Sequence, residues 1–384
     1  MPPRAALVEV APIPLTEDQT LQLRLHAQHL TSQRTRRAGA VAKVVRELCG
    51  IQAQDAGAAA LGIRARAAGL RAADVERALV QDRSIVRSWC MRGTLHLLAS
   101  EDLGWLLGLL GPRFARSNRG RRAQLGLDDD GSRRAIRALR SAMSGSAPLT
   151  RRQIVEKLAA RRIHLTGQAR PHLLSLASLE GIICHGPSQG REPTFVLLAE
   201  WIDPGPALPQ EEALRQLTQR YLSAYAPAAP EDFAAWSGLP LTEARNAWRG
   251  ISGGLLEARI GGSPAWMLKT QAKRLGEAAE RGRVVRLLPS FDTYLLGYHN
   301  RGLVLPGKHA RRILPGGGLV HPALLVDGRV LGRWRVARNR NAAEVVVEPF
   351  QALGRDVRRL LQVEADDVAR FLGVEAGLRV LKPG

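Results

Sequence analysis

The segment TRRQIVEKLAARRIHLTGQARPHLLSLASLEGIICHGPSQGREPTFVLL, residues 150–198, decides the fold class. Thr150 and Gln153 have the spacing of a capping box, which predicts the start of one helix, and a second apolar stretch predicts a helix from about Gln168 to Leu179. Two β-rich runs with a Gly- and Pro-containing turn between them follow at residues 182–185 and 194–198. Helices followed by a strand, a turn and a strand are typical of a winged helix-turn-helix.

The same order of elements is predicted before and after this segment. On the N-terminal side, Thr16 and Gln19 form another capping box that opens a helix to about Leu30. Further helices near residues 41–48 and 74–79 lead to a strand predicted from the alternation in MRGTLHL, residues 91–97. On the C-terminal side, three helices are predicted at residues 211–225, 230–236 and 242–248. A hairpin follows them, with strands at residues 255–260 and 265–268. A loop near residues 128–132 and the Pro-rich residues 203–209 are predicted to separate the units.

From about residue 283, the residue pattern becomes typical of β-strands. Short β-rich runs lie at residues 284–288, 323–326, 329–336 and 345–348, and an Asp327-Gly328 turn joins the middle two. Two helical pieces, near residues 357–361 and 365–372, close the chain. We therefore predict an α+β fold of three tandem winged-helix units and a β-rich, barrel-like domain, with boundaries at 1–115, 116–205, 206–280 and 281–384.

The charge of the chain indicates a polyanionic partner. Lys and Arg number 56 against 35 Asp and Glu, which gives a net charge of +21 and a pI near 11.3. Nucleic acid fits this balance, since its phosphates repeat along the duplex. An acidic membrane surface fits less well, because the basic residues are spread through folded segments and do not form a polybasic tail.

Cysteine usage and the apolar runs predict a cytoplasmic protein, and a DNA partner would make it nucleoid-associated. Cys49, Cys90 and Cys184 lack the spacing of metal ligands and are expected to be reduced and buried. The first 15 residues are interrupted by Pro and Arg and lack the apolar core of a signal peptide, and no run reaches the length of a membrane span. Nucleotide-binding, zinc-protease and serine-hydrolase motifs are missing from the sequence, so no cofactor and no metal are expected.

Three stretches carry a resemblance to a known family. They are GIQAQ at residues 50–54, MRGTLH at residues 91–96 and LPSFDTYLLGY at residues 288–298, the last followed by Arg301. In this order they resemble the winged-helix DNA glycosylases of the AlkZ and YcaQ type, over roughly residues 15 to 375. The resemblance implies tandem winged helices with a C-terminal β-rich domain, as the residue pattern predicts independently.

The resemblance also implies a reaction. The Gln-x-Gln form of the first stretch is that of the AlkZ-like branch, whereas the YcaQ-like branch has Gln-x-Asp, so Gln52 and Gln54 are the implied catalytic residues. The implied substrate is double-stranded DNA that carries bulky N7- or N3-alkylated purines, including interstrand crosslinks. The implied role is self-resistance to a genotoxic natural product, as a monofunctional glycosylase without an obligate protein partner.

A pair of neutral amides suits this chemistry. An N7- or N3-alkylated purine is already cationic and leaves readily, so the enzyme needs no strong general acid. A Gln amide oxygen can accept a hydrogen bond from the attacking water while the amide NH₂ donates to a sugar or phosphate oxygen. On sequence alone, the same pair is also compatible with a solvated surface or a local cap.

Other site residues are predicted around this pair. Arg92 and Thr94 are predicted either to contact phosphate or to support the Gln pair, although Gly93 and its neighbours can equally form a plain turn. Asp292 and Arg301 are predicted to form a buried ion pair that binds the β domain to the first unit. His96 is expected to be a packing residue.

Two non-catalytic alternatives remain at this stage. A winged-helix transcription regulator or lesion sensor shares the bulk features, and an RNA-binding factor is less favoured because the chain lacks RNP-like and KH signatures. A regulator requires an exposed recognition helix and usually a dimer. A glycosylase requires a basic cleft with Gln52 and Gln54 on its wall.

Overall fold

A computed structural model describes residues 11–31, 34, 39–277, 282–338 and 343–383. Helices and strands alternate in small groups along these residues, so the predicted α+β class is confirmed. Among the described helices, none combines the length and apolar character needed to cross a membrane.

The first unit contains five helices around a three-stranded sheet. The helices are α1 (Glu17–Ala27), α2 (Ala40–Glu47), α3 (Ala56–Arg66), α4 (Ala72–Val80) and α5 (Leu103–Ser117). The strands of this stretch are β1 (Ile13–Leu15), β2 (Ile51–Gln52), β3 (Ile85–Trp89) and β4 (Leu95–Ala99). The sheet has the order β2-β4-β3, and its pairs are antiparallel.

The strand predicted at residues 91–97 is displaced toward the C-terminus. Met91–Gly93 instead form a 3₁₀ turn that joins β3 to β4. Arg92 and Gly93 have positive φ values of 56° and 66°, which an extended strand does not allow. Sequence periodicity missed this hairpin because its turn residues, apart from Gly93, are not typical turn formers.

The second unit contains the most clearly predicted winged helix. Its helices are α6 (Arg119–Gln124), α7 (Asp129–Met143), α8 (Arg151–Ala159), α9 (Ala169–Leu179) and α10 (Leu198–Trp201), and its strands are β5 (Leu149–Thr150), β6 (Ile183–His185) and β7 (Thr194–Leu197). The capping box of Thr150 and Gln153 is present at the start of α8. The loop predicted near residues 128–132 is wrong, because the Asp128 side chain accepts from the Gly131 N–H at 2.7 Å and caps α7.

The sheet of the third unit includes a strand from the N-terminal part of the chain. Its own elements are α11 (Gln210–Tyr225), α12 (Pro230–Ser237), α13 (Leu241–Gly250), α14 (Arg274–Glu277), β8 (Leu255–Ile260) and β9 (Ser263–Leu268). Strand β1 pairs in parallel with β8, with Ile13 opposite Ala258, and completes a sheet of order β1-β8-β9. The sequence pattern did not predict this pairing.

The C-terminal domain is one five-stranded sheet with a long helix against it. Its elements are α15 (Thr293–Leu296), α16 (Ala310–Ile313), α17 (Arg355–Leu372), β10 (Val285–Leu288), β11 (Ala323–Val326), β12 (Arg329–Arg338), β13 (Ala343–Pro349) and β14 (Ala376–Val380). The strands lie in chain order and form a half-barrel, antiparallel except for the parallel pair β13 and β14. The two predicted C-terminal helical pieces are one continuous helix, α17, which buries Val357, Leu361 and Val368 against the sheet.

The units pack through shared apolar cores. The largest core joins α2, the β2-β4-β3 sheet and α5 to the helices of the third unit. Helix α5 also packs tightly on α9, since a Cβ atom at Gly111 would lie 2.2 Å from the Leu179 carbonyl oxygen. A larger residue at this position would force the two helices apart.

Buried ion pairs join α3 to the C-terminal domain. The Arg66 guanidinium, with 0% side-chain exposure, donates to both carboxylate oxygens of Asp292 at 2.7 and 2.8 Å. The predicted pairing of Asp292 with Arg301 is therefore wrong, and Arg301 donates from Nε to the Leu295 carbonyl oxygen at 2.6 Å. The physical reason is geometric, because Arg66 occupies both carboxylate oxygens with a bidentate fork. The predicted link between the β domain and the first unit does exist, with a different cation.

We expect Asp292→Ala to lower the free energy of unfolding by about 3–5 kcal/mol, because it leaves the buried Arg66 guanidinium without its counter-charge. Denaturant unfolding followed by circular dichroism measures this change. Asp130→Ala is the matched control, since its pair with Arg133 is exposed and we expect it to cost less than about 1 kcal/mol. Equal effects of the two substitutions would contradict a structural role for the Arg66–Asp292 pair.

Candidate active site

A tight turn after α2 places the Gln-x-Gln segment. Cys49 and Gly50 both have positive φ, 53° and 106°. A Cβ atom at Gly50 would lie 2.9 Å from side-chain atoms of Leu98 and Met91, so glycine is required by both backbone conformation and space. The turn directs the chain into β2, which pairs with β4 through Ile51–Leu97 and Gln52–His96.

Gln52 is held by a cation. Its side chain is 9% exposed, and its Oε1 accepts a hydrogen bond from Arg92 Nη2 at 2.7 Å. The other terminal nitrogen of Arg92, Nη1, donates to the Trp236 carbonyl oxygen in α12. One guanidinium thus connects the catalytic candidate in the first unit to the main chain of the third.

Gln54 is exposed and held by the main chain. Its Oε1 accepts from the Leu95 N–H at 3.2 Å, just beyond the end of β2. The intervening residue Ala53 donates to the Leu95 carbonyl oxygen at 2.7 Å and accepts from Arg87 Nε at 3.0 Å. The backbone that carries Gln54 is therefore fixed from both neighbouring strands.

These contacts define the orientation of both amides. A guanidinium and a main-chain N–H can only donate, so the atom that faces each of them must be the amide oxygen. The NH₂ groups of Gln52 and Gln54 are the ends left for other partners. Each oxygen also retains capacity for a second hydrogen bond.

Three parts of the chain converge on Arg92. Arg92 itself has a left-handed backbone, and Gly238, with φ of 79°, lies directly against its side chain. A Cβ atom at Gly238 would be 3.0 Å from Arg92 Cγ and 2.9 Å from Phe114 Cζ. Burial lowers the pKa of Arg92, and the nearby positive charge of Arg301 lowers it further. Arg301 is therefore close to the site without pairing with Asp292.

The remaining predicted residues are placed as follows. The Thr94 hydroxyl donates to the Met91 carbonyl oxygen at 3.1 Å and so stabilises the 3₁₀ turn. The Arg92 guanidinium supports Gln52. Support of the Gln pair was one of the two roles predicted for Arg92, and phosphate contact was the other. Asp292 lies at the far end of α3, in the pair with Arg66. Phosphate contacts by Arg92 and Thr94 stay predictions.

His96 lies beneath the pair and is neutral. It is 3% exposed, and burial together with the charge of Arg92 lowers its pKa to about 3. Its Nδ1 lies 3.0 Å from the Thr94 carbonyl oxygen, so Nδ1 carries the ring proton. The expected packing role agrees with this burial.

Sequence reasoning missed Arg87 and the function of Asp55. Arg87 was overlooked because β3 was not predicted, although it binds the main chain between the two Gln residues. Asp55 caps α3, since its Oδ1 accepts from the Ala58 N–H at 3.0 Å. An Asp three residues before a helical N–H is the signal that could have identified this cap.

An aromatic stack joins the site to the second unit. Trp89, at the end of β3, stacks on His185 with a centroid distance of 5.5 Å, and His185 packs on Phe195 at 4.6 Å. Burial lowers the pKa of His185 to about 3, with further contributions from Arg87 and Arg151. Positive charges from the first unit, Arg87, and from the second, Arg151, therefore act on this stack.

The arrangement presents one exposed amide, Gln54, beside the largely buried amide of Gln52, in basic surroundings that include Arg87 and Arg92. Five cavities of the described residues are lined by residues other than Gln52 and Gln54, so none of these five provides the cleft wall expected for the pair. The described residues contain no cluster of His, Cys, Asp or Glu suited to a metal ion. The chemistry available at this surface is hydrogen bonding and positive charge, and that suits an anionic partner and an ordered water.

Comparison with known proteins gives a consistent result. The model of the family described as "DNA glycosylase AlkZ-like" matches residues 45–371. A Streptomyces sahachiroi protein described as an interstrand DNA cross-link repair glycosylase is 32% identical over 352 residues, which cover 86% of this chain and 90% of that protein. The solved structure of the S. sahachiroi DNA glycosylase AlkZ is similar with a TM-score of 0.79 at 29% identity, and the match covers 96% of this chain and 100% of that one.

We expect the protein to lose stability as the pH falls from about 6.5 toward 3. In this range the unfolded chain protonates His96 and His185 while the folded protein keeps both neutral, so each contributes a loss of about 1.4 kcal/mol per pH unit. Unfolding midpoints at pH 7, 6 and 5 measure the effect. His185→Phe keeps the aromatic stack and should make the midpoint less sensitive to pH, and an unchanged sensitivity would contradict the assignment of His185.

Proposed function

Because this chain belongs to the AlkZ-like DNA glycosylase family, we propose that it hydrolyses the bond between deoxyribose and a bulky N7- or N3-alkylated purine, with Gln52 and Gln54 at the reacting bond. The observation that carries this proposal is the Gln pair, held by Arg92 and by the Leu95 N–H on a basic surface. The proposed substrate is double-stranded DNA. Interstrand crosslinks are included, as the description of the S. sahachiroi relative favours, and the proposed biological role is self-resistance to the compound that forms them.

The leaving group explains why amides suffice. An alkylated purine carries positive charge, and breaking its glycosidic bond moves that charge onto the sugar as the neutral base departs. The protein then has to hold a water near C1′ and to tolerate the developing oxocarbenium ion. Neutral His96 adds no positive charge beneath the sugar, whereas a protonated imidazole would oppose the reaction electrostatically.

The two amides are proposed to act differently. Arg92 withdraws electron density from Gln52 Oε1, which makes the Gln52 NH₂ a stronger donor and its oxygen a weaker acceptor. Gln52 is therefore suited to donate to a sugar or phosphate oxygen. Gln54 Oε1 binds only a neutral N–H at 3.2 Å, so it keeps its ability to accept from the attacking water.

An accessible site also suits a lesion that cannot leave the helix. Enzymes that flip a base enclose it in a close-fitting pocket, whereas Gln54 is exposed. A crosslinked base is tethered to the opposite strand, so a site that reaches it within the duplex is an advantage. No described lysine contacts Gln52 or Gln54, which supports hydrolysis by water and a monofunctional enzyme.

The burial of α9 disfavours the alternative of a transcription regulator or lesion sensor. A regulator of the winged-helix type inserts its second helix into the major groove. In the best-formed unit that helix is α9, whose residues Leu173, Leu176 and Leu179 are buried and which packs on α5. Seven of the 11 residues of α9 are buried and only Arg170 is exposed, so little of this helix is left to read bases.

We expect Gln54→Ala to lower the single-turnover rate of excision about 10²-fold, because it removes the proposed acceptor for water. Duplexes that carry N7-alkylguanine, treated with alkali to cleave abasic sites, measure the rate. Affinity for undamaged duplex should be nearly unchanged, since a neutral side chain contributes little to phosphate binding. Gln219→Ala is a matched control at an exposed Gln far along the chain in α11. If Gln52→Ala and Gln54→Ala, singly and together, all excise at the wild-type rate, the pair is not catalytic. A wild-type protein that binds duplex DNA and excises no adduct would instead favour the regulator.

We expect Arg92→Ala to slow excision because Arg92 acts by holding Gln52. Without the guanidinium, the Gln52 amide loses its fixed orientation, so the single variants Arg92→Ala and Gln52→Ala should have similar effects. The double variant should be no slower than Gln52→Ala alone, because the two residues act as one unit. A purely structural role for Arg92 would instead slow the double variant further by the full effect of Arg92→Ala.

A further inference from the structure

A second strongly basic feature lies where α5, α6, α7 and α9 meet. A cavity of about 480 Å³ there is lined by Arg116, Arg119, Arg122, Arg133 and Arg137, and we call it the arginine cavity. Its lining includes only two carboxylates, those of Asp129 and Glu180. The cavity therefore has an excess of positive charge.

Two exposed arginines of its lining form no ion pair with a carboxylate among the described residues. Arg137 forms no hydrogen bond or ion pair within the described part of the chain, and Arg116 donates only from Nε to the Pro112 carbonyl oxygen at 3.2 Å. Both side chains are exposed on neighbouring turns of α5 and α7. Their charges are available to an anion.

Arg119 and Arg133 can each exchange a carboxylate partner for a phosphate. Each pairs with an aspartate at the start of α7, Asp129 and Asp130 respectively, and all four side chains are largely exposed. Exposed ion pairs of this kind contribute little to stability, so a phosphate can replace the carboxylate at low cost.

Arg122 forms the buried wall of the cavity. It is only 7% exposed, and its Nη1 donates to the Ala115 carbonyl oxygen at 2.7 Å. Its buried Nε has no hydrogen-bond partner within the described residues. Burial lowers the pKa of Arg122, and the nearby Glu180 opposes that effect. A cation held in this way is costly to bury, and an anion in the cavity would compensate it.

Two other cavities of the described residues lack this excess of positive charge. The cavity lined by Pro209 and Gly250 contains one arginine and two glutamates. The cavity between α1, β9 and the C-terminal domain contains two arginines and three carboxylates. Attraction for an anion is therefore a property of the arginine cavity and not of these cavities in general.

Helix α5 connects the arginine cavity to the candidate active site. Phe114 lies against the 3₁₀ turn that carries Arg92, since a Cβ atom at Gly93 would be 3.8 Å from Phe114 Cβ. Arg116 follows two residues later, about 3 Å along the helix axis and roughly 200° around it, so its side chain leaves α5 on a different face. The cavity therefore lies near the candidate site but on another face of α5, where a bound phosphate would belong to duplex that flanks the lesion.

We infer that the arginine cavity binds a backbone phosphate of the duplex outside the lesion, an inference that rests on the proposed function. A phosphodiester carries one negative charge and oxygen acceptors that match arginine donors. The cavity is then an anchor that fixes the register of the enzyme on undamaged flanking DNA.

The test is the salt dependence of binding to an undamaged duplex oligonucleotide, measured by fluorescence anisotropy. Each phosphate contact contributes about 0.9 to the slope of log affinity against log salt, so Arg116→Gln with Arg137→Gln, which removes the contact to one phosphate, should lower the slope by up to about 0.9. The double Lys variant keeps both charges and should keep most of the slope. Arg355→Gln with Arg359→Gln removes the same charge from the exposed side of α17 and should leave the slope nearly unchanged.

Two outcomes would overturn the inference. If neither double Gln variant changes the slope, no phosphate is bound at the arginine cavity. If both variants lower it equally, binding depends on overall charge and not on this cavity. Arg137→Glu, compared with Arg359→Glu, repeats the test if the double variant folds poorly. Because the measurement uses undamaged DNA and no excision, its failure is distinct from failure of the proposed Gln chemistry.

Discussion

Two buried guanidinium groups on one helix fix the geometry on which the rest of the structure depends. Arg64 and Arg66 in α3 have fully buried side chains, and their counter-charges come from the C-terminal domain. Arg64 pairs with Glu364 of α17 at 3.1 Å and donates to the Leu287 carbonyl oxygen in β10 at 2.8 Å. Buried charges of this kind tolerate only one arrangement, because any displacement leaves a cation without its partner in a medium of low polarity.

The same constraint reaches the candidate active site. Helix α3 begins directly after the Gln-x-Gln segment, and Asp55 caps its first turn. A helix locked at its C-terminal end by Arg64 and Arg66 presents its N-terminal end in a fixed position, and Arg92 locks the opposite side of the segment to the third unit. The site is therefore assembled from separate parts of the fold, each of which contributes one restraint.

Local sequence signals predicted helices and strands well where the residues that determine the conformation are close together in sequence. The capping boxes at Thr16 and Thr150 and the wing of the second unit are present as predicted. Sequence reasoning failed where the conformation is set by distant partners. The left-handed backbone of Arg92 has no local signature, and its conformation is determined by contacts with Gln52, Trp236 and Gly238. The Asp292 pairing was assigned to the wrong cation because Arg66 is 226 residues away in sequence. Gln52 and Gln54 were identified through the family resemblance, since an amide pair carries no chemical signature of its own.

The strand borrowed by the third unit has a consequence for biosynthesis. Strand β1 leaves the ribosome first, whereas its partner β8 is made about 245 residues later. At typical translation rates this interval is roughly 10–50 s, during which the second unit can already fold. The third sheet therefore cannot be completed until β8 has been synthesised, and β1 has no partner strand until then. The short length of β1, three residues, limits the opportunity for mispairing with another nascent chain during that time.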